Sequence, residues 1–283
     1  MSNHNIFSEL FISAFWGPLI VGLILFLLNK IFSGKNNRKT ITFKYIKKVV
    51  VKHIIEIKEN KRCQHSATPV TNISYHSRDD QTLILIVMGL IFLSFFYAKY
   101  QIEAITILLG FSTFILSFVL FTVFFSIRKN IEHDQYWSLY LYTTLFLAFL
   151  GYPLMYIALN PIYAPPEIQN MSNVVIDGGL ADMLKIFGVR GFGFIVLQAL
   201  GFLTIAIAML LQTFSLTFYI SAIQLAVSSS RMPIINFLAQ ATIKFKNPNK
   251  MIIFSTILYL ISFIFISGVG YEWWYSAANN NMS

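Results

Sequence analysis

The sequence carries little charge, and no charged residue stands at the centre of any of its long apolar runs. Of its 283 residues only 12% are Asp, Glu, Lys or Arg, whereas 56% are hydrophobic. The mean hydropathy is +0.65. A soluble domain carries about 25% charged residues, so this chain has too little polar surface to cover a globule in water. The composition therefore predicts that lipid surrounds most of the chain.

Cysteine is almost absent, and several catalytic motifs are missing. The single cysteine, Cys63, excludes an internal disulfide framework and a cysteine-rich metal site. His65 and His76 are scattered through the same polar linker and lack the paired spacing of zinc ligands. The sequence also lacks a phosphate-binding loop with its Lys, an H-E-x-x-H motif and an intramembrane Ser/His or Asp pair. We therefore expect no enzyme activity, no catalytic residue, no bound metal and no cofactor.

Six apolar segments are long enough for a membrane helix, which needs about 20 residues. The fifth has 37 residues by sequence count, so it has to tilt, kink or extend beyond the bilayer. The expected fold is an all-α integral membrane protein of about six transmembrane helices. The segments cover about residues 7–32, 82–98, 102–127, 137–160, 191–227 and 251–269.

Lysine and arginine are distributed unevenly between the loops. Eighteen of the 21 fall on one side of the predicted spans, while Lys99, Lys185 and Arg190 fall on the other. Basic loops tend to stay in the cytoplasm, so we expect a multi-pass protein of the cell inner membrane with both termini outside. The net charge of +9 is explained by this orientation signal, and no nucleic-acid partner is expected. The predicted parts are a first transmembrane helix at 1–32, a basic cytoplasmic arm and linker at 33–80, and a five-helix bundle at 81–283.

The first basic loop contains an amphipathic pattern. Between residues 41 and 58 apolar side chains recur at helical spacing, and Lys44, Lys47, Lys48 and Lys52 line the other face. Such a helix is suited to lying on an anionic inner leaflet. The four lysines are predicted to contact the membrane surface or a cytoplasmic protein partner, and a simple orientation anchor is the alternative.

The fifth segment carries a stripe of small and polar residues. Steps of three and four place these residues on one helix face. In lipid, such a face packs against another helix or lines a watery path. Both interpretations stay open, and the candidate path-lining or helix-seam residues are Gln198, Gly201, Thr204, Gln212, Ser215 and Gln224.

The first apolar segment resembles a known group of proteins. The run Phe15-Trp16-Gly17-Pro18-Leu19 continues to Asn29-Lys30 and is similar to the first span of small membrane effectors in bacterial anti-phage defence systems. The resemblance implies a membrane protein that is paired with a cytoplasmic sensor and that damages the membrane of an infected cell. It assigns no functional residues.

Three functions are compatible with these observations. The leading hypothesis is a non-enzymatic membrane effector or channel-like subunit, in the setting of anti-phage defence, whose partners are the bilayer and either further copies of itself or a cytoplasmic protein. The second is a structural or scaffold subunit of a larger membrane complex, such as a secretion or respiratory complex. The third is a passive transporter of a neutral solute, since an uncharged path can carry uncharged cargo.

Overall fold

The computed structural model describes residues 41–43, 45–48, 50–52, 54, 79–129, 131–132, 135–168, 171–227 and 233–280. The predicted first span at 7–32 lies outside these residues, and so do Lys44, Cys63, His65 and His76. Two short 3-10 turns, Pro166–Ile168 and Ile243–Phe245, connect longer helices. The helices of the described chain are α1 (Asp79–Lys99), α2 (Gln101–Arg128), α3 (Gln135–Leu159), α4 (Met171–Val227), α5 (Pro233–Thr242), α6 (Pro248–Ile266) and α7 (Val269–Asn280).

Five of these helices are long and apolar enough to cross a membrane. They coincide with the second to sixth predicted spans, so the prediction of a mostly helical chain with helices long and apolar enough to span a membrane is confirmed for these five. Their apolar side chains are largely exposed, as lipid-facing surfaces require. The five segments are Thr82–Lys99, Gln101–Arg128, Gln135–Leu159, Leu184–Ala226 and Pro248–Ile266.

The long helix α4 is the centre of the bundle and packs against α1, α2, α5 and α6. Its excess length is explained by two glycines at which the helix is interrupted. Gly179 and Gly188 have φ values of 72° and 59°, which are readily adopted only without a Cβ atom. The segment that continues into the bundle therefore begins after Gly188, close to the predicted start at residue 191.

The two ends of the bundle differ in charge. At one end, β1 (Ile41–Thr42) pairs in parallel with β2 (Ile131–Glu132), which follows α2 directly. We call this the basic end, because Arg128, Lys244, Lys246 and Lys250 lie there. The opposite end carries the turn at Tyr100 between α1 and α2, and also α7.

A basic arm, defined here as the described residues between 43 and 54, is helical and follows β1. Its apolar face is almost fully buried: Phe43 is 0% exposed, Ile46 1% and Ile54 1%. These side chains belong to the hydrophobic core of the bundle. The predicted amphipathic helix therefore exists, but its apolar face contacts protein, whereas the sequence pattern placed it on the leaflet. Burial against α3 and α4 removes the apolar surface from water more completely than the polar headgroup region would.

Trp137 lies at the basic end of the bundle, in the first turn of α3, and its side chain is only 1% exposed. Its indole ring contacts Phe43 of the arm at 5.2 Å and Tyr219 of α4 at 4.7 Å, measured between ring centroids. Trp137 therefore joins the arm to the bundle instead of facing lipid headgroups.

Candidate functional site: a polar seam inside the bundle

The stripe predicted on the fifth segment faces the interior of the bundle. Gln198 is 1% exposed, and Gln212 and Ser215 are 0% exposed. Gly201 is buried and Thr204 is half-buried. Because α4 is surrounded by other helices, its small and polar face avoids lipid and meets α1, α3 and α6.

Both side-chain amide atoms of Gln198 are hydrogen-bonded. Gln198 lies at the end of the stripe that is farthest from the basic end. Its Oε1 accepts a hydrogen bond from the Tyr97 hydroxyl of α1 at 3.2 Å. Its Nε2 donates to the Ile266 carbonyl of α6 at 3.3 Å. Gln101 Nε2 of α2 in turn donates to the Tyr97 hydroxyl at 3.1 Å. Gln198 thus ties α4 to α1 and α6 through one connected group of hydrogen bonds.

One turn further along, Gly201 allows α4 and α6 to approach closely. A Cβ atom at Gly201 would lie 2.7 Å from the Ile266 Cγ1 atom and 3.2 Å from the Ile266 amide nitrogen. The Ser262 hydroxyl donates to the Gly201 carbonyl at 2.9 Å. This part of the stripe is a packed seam, in which a missing side chain lets two backbones meet.

In the middle of the stripe, Gln212 is bonded very differently. Neither its amide nitrogen nor its amide oxygen has a hydrogen-bond partner among the residues that the structure describes. Its backbone carbonyl does accept a bond from the Tyr140 hydroxyl of α3 at 3.0 Å. An amide that is buried without partners costs about 1–3 kcal/mol, so the Gln212 side chain is energetically unfavourable unless something else binds it.

Further polar atoms of the same kind lie along α6 and between α2 and α3. Within the described part of the chain, the hydroxyls of Ser255, Tyr259 and Ser112 are buried without a hydrogen-bond partner. Two bonds tie α4 to this part of the chain: the Ser262 hydroxyl of α6 donates to the Gly201 carbonyl, and Ser215 Oγ donates at 3.1 Å to the carbonyl of Phe245, in the 3-10 turn that precedes α6.

The antiparallel pairing of Gly201 with Ser262 places Gln212, eleven residues later, opposite Met251. Ser255 lies one turn beyond Met251 on the same face of α6. Tyr259 follows one turn later on the same face of α6. Ser112 lies against Gly151, and a Cβ atom at Gly151 would also meet the Met209 side chain of α4, one turn before Gln212. We refer to Gln212, Ser255, Tyr259 and Ser112 as the polar interior.

The basic end of the stripe is closed by aromatic rings. Tyr219, two turns beyond Gln212, shares a hydrogen bond of 3.2 Å with the Ser126 hydroxyl of α2. Phe43 of the arm covers Tyr219, with 4.3 Å between the ring centroids. Phe43, Trp137 and Tyr219 form an aromatic cluster at this end of the stripe.

Two residues of the predicted site lie outside this interior. The Thr204 hydroxyl donates to the Leu200 carbonyl of its own helix at 2.7 Å, so it does not reach a neighbouring helix. Gln224 is half-buried near the end of α4. It comes twelve residues after Gln212, and at 3.6 residues per turn this places it about 120° around the helix. The structure therefore separates Gln224 from the other two glutamines.

Three of the four lysines predicted for surface contact are described, and they lie on the accessible side of the arm. Lys48 and Lys52 are exposed, and Lys47 is half-buried. Lys47 Nζ donates to Asn247 Oδ1 at 3.5 Å, which connects the arm to the residue before α6. Contact of these lysines with lipid or a protein partner stays a prediction.

Ser255, Tyr259 and Ser112 were not identified from the sequence. A signal was available for α6, because Ser255, Tyr259 and Ser262 follow at steps of four and three and so share one face. Ser112 gives no such signal, since its burial depends on Gly151 of the neighbouring helix.

The site shows no sign of metal chemistry in the part of the chain that is described. No group of three or more His, Cys, Asp or Glu side chains is gathered there. The class that the fold defines is thus a helical protein with five helices able to cross a membrane and a neutral polar interior. Comparison with protein families, with curated proteins and with solved structures finds no match.

Proposed function

We propose that this protein is a non-enzymatic, channel-like membrane effector whose path for water and small solutes runs through the polar interior. The arm and the other basic loops face the cytoplasm of a bacterial cell in this proposal, and both termini face out. The resemblance of the first span to anti-phage membrane effectors supports a role in defence, in which a cytoplasmic partner triggers opening.

The observation that carries the proposal is the Gln212 side chain. Lipid offers no hydrogen bonds, so a membrane bundle normally pairs every polar group internally. The Gln212 amide is 0% exposed, and among the described residues no protein atom bonds it. Water, or a solute that replaces water, is the partner that would satisfy this amide together with the hydroxyls of Ser255 and Tyr259.

The aromatic group at the basic end supports a closed state that can open. Phe43 contacts Trp137 edge to face and Tyr219 in a tilted arrangement, and it belongs to the arm instead of to a membrane-spanning helix. Release of the arm would remove this cover without changing the packed seam at Gly201. The exposed Lys48 and Lys52 are the proposed contact for the partner that releases the arm.

Three variants expressed beside the wild type in a bacterium test the proposal, with membrane potential followed by a dye and survival by plating. Phe43→Ala should depolarise cells, because it uncovers the path. The double variant Phe43→Ala with Gln212→Leu should keep the wild-type membrane potential. The matched double variant Phe43→Ala with Gln224→Leu should depolarise cells as Phe43→Ala does. If Phe43→Ala leaves the potential unchanged, or if both Leu changes act alike, the conducting function is wrong.

The seam also bears on the scaffold hypothesis. In a scaffold, the stripe would be a contact for other subunits, yet Gln198, Gly201 and Ser215 bond to helices of the same chain. The stripe is therefore already used within the described bundle, which favours the effector over the scaffold. Copurification with a fixed set of other membrane subunits would reverse this preference.

A further inference from the structure

An apolar groove lies between α1, α2 and α4, away from the polar interior. Its volume is about 340 Å³, within the range of small-ligand pockets, and it is open to the side where lipid would lie. Three of its lining residues are alanines, one from α2 and two from α4, and they give the groove its depth. They are Ala104, Ala199 and Ala206.

The polar atoms behind the groove are already used. Tyr97 lines the groove, but its hydroxyl donates to Gln198 and accepts from Gln101. The surface that faces the membrane is therefore carbon, from Leu93, Phe96 and Phe202 among others. An apolar chain is the ligand that such a surface accepts.

The end of the groove at Tyr100, called the mouth here, has a positive and a negative residue in nearby positions of the chain. Tyr100 lines the groove, and Lys99 Nζ lies 5.4 Å from the centroid of its ring. Glu103 is exposed in the first turn of α2, directly before Ala104 and one turn before Ile107 of the groove wall. Lys99 is the sole basic residue on the turn between α1 and α2.

We infer that this groove binds one phospholipid whose headgroup carries a phosphate and a primary ammonium group, as in phosphatidylethanolamine. The acyl chain fills the space bounded by Ala104, Ala199 and Ala206. Lys99 binds the phosphate, and Glu103 accepts a hydrogen bond from the ammonium group. The charge-assisted hydrogen bonds of Lys99 and Glu103 then select the headgroup, while the apolar groove selects an acyl chain.

The two charges at the mouth decide between headgroups. A lipid with phosphate alone would place a negative charge beside Glu103. A phosphocholine lipid carries the positive charge, but its quaternary nitrogen has no N–H to donate to the carboxylate. The lipid with a primary ammonium group is the one that matches both side chains.

Native mass spectrometry of the purified full chain tests this inference. The protein is titrated in detergent with phosphatidylethanolamine, phosphatidylcholine and phosphatidylglycerol that have identical acyl chains. We expect retention of one phosphatidylethanolamine, with about fivefold weaker binding of the other two lipids, which corresponds to the loss of one solvent-exposed charge pair. Equal binding of the three lipids, or a preference for phosphatidylglycerol, would overturn the inference.

Variants separate the groove from the mouth. Lys99→Gln and Glu103→Gln should each remove the headgroup preference, and both residues stand at the edge of the fold. Ala206→Phe should abolish retention by filling the groove, whereas Ile207→Phe should not, because Ile207 is 42% exposed on the same helix and does not line the groove. If Ala206→Phe retains as much lipid as Ile207→Phe, the groove is not the site.

Discussion

Two stretches of the same helical stripe are bonded in opposite ways. Around Gln198 and Gly201, the polar side chains and the close backbone contact are matched by Tyr97, Ser262 and Ile266. Around Gln212, the side-chain amide finds no hydrogen-bond partner in the described chain, and the same holds for the hydroxyls of Ser255 and Tyr259. One pattern of small and polar residues thus builds both a tight seam and a polar interior.

The difference shows what decides between the two outcomes. At Gly201 the absence of a side chain brings α6 so close that Ser262 reaches a backbone carbonyl. At Gln212 no described group meets the amide, and we propose that water or a small solute takes that place. The difference between the two stretches therefore lies in what the neighbouring helices offer and not in the polarity of the stripe.

The largest expected effect comes from uncovering the basic end of the polar interior. Phe43→Ala removes ring contacts with Trp137 and Tyr219, and truncation of a buried Phe costs about 3–5 kcal/mol. We expect the arm to detach and to be cut by a protease that spares the wild type. Tyr45→Ala is the matched control, because Tyr45 is 66% exposed on the same arm. Equal protease resistance in the two variants would show that Phe43 does not hold the arm.

The second prediction concerns the close approach of α4 and α6 at Gly201. Gly201→Val places a side chain against Ile266 and Phe265, and overpacking of this kind costs about 1–3 kcal/mol. The melting temperature of the purified protein should therefore fall. Gly110→Val controls for the change itself, since a Cβ at Gly110 meets nothing within 4 Å in the described structure. A Gly201→Val protein as stable as Gly110→Val would mean that the close approach is absent.

The third prediction is that Gln→Leu substitutions at positions 198 and 212 change the stability of the protein in different directions. Gln198→Leu breaks bonds to Tyr97 and Ile266 and should destabilise the protein by about 1 kcal/mol, as is typical between membrane helices. Gln212→Leu removes a buried amide and should leave stability unchanged or raise it by about 1 kcal/mol. Thermal unfolding of both variants in one detergent is the measurement, and a drop of equal size at both positions would remove the distinction.

The smallest effect is expected from the exposed lysines of the arm. Lys48 and Lys52 lie outside the contacts that bury Phe43, so replacing both with Gln should change stability by less than about 0.5 kcal/mol. The same change should weaken sedimentation with anionic vesicles or binding of the cytoplasmic partner. A large loss of stability would place these lysines in the fold instead of on a contact surface.

Hydropathy and helical periodicity predicted much of the architecture. The second to sixth spans and the amphipathic arm follow from spacing alone, because lipid and core impose the same 3.6-residue period on every helix. The buried stripe on α4 was visible for the same reason. What covers a helix face was not visible, so the arm was assigned to lipid although Phe43 and Ile46 pack on protein.

The details of the site depend on tertiary register, which a single sequence does not contain. Gln198 and Gln212 look alike in the sequence, but only the positions of Tyr97 on α1 and Ile266 on α6 show that the Gln198 amide is bonded. The neutral polar interior could be anticipated from the serine and tyrosine spacing of α6. The inclusion of Ser112 in the polar interior could not be anticipated, because the burial of Ser112 depends on a close contact with Gly151.

Access of water to the polar interior is the most direct test of the central claim. In a Cys63→Ser background, which removes the single cysteine, Ser255→Cys and Ser262→Cys are each combined with Phe43→Ala. The labelling rate by a small charged thiol reagent is then measured in membrane vesicles. The account predicts at least about tenfold faster labelling at Ser255→Cys, because Ser262 sits in the packed seam beside Gly201 and a buried thiol surrounded by protein is inert. Equal rates at the two positions would contradict a hydrated interior.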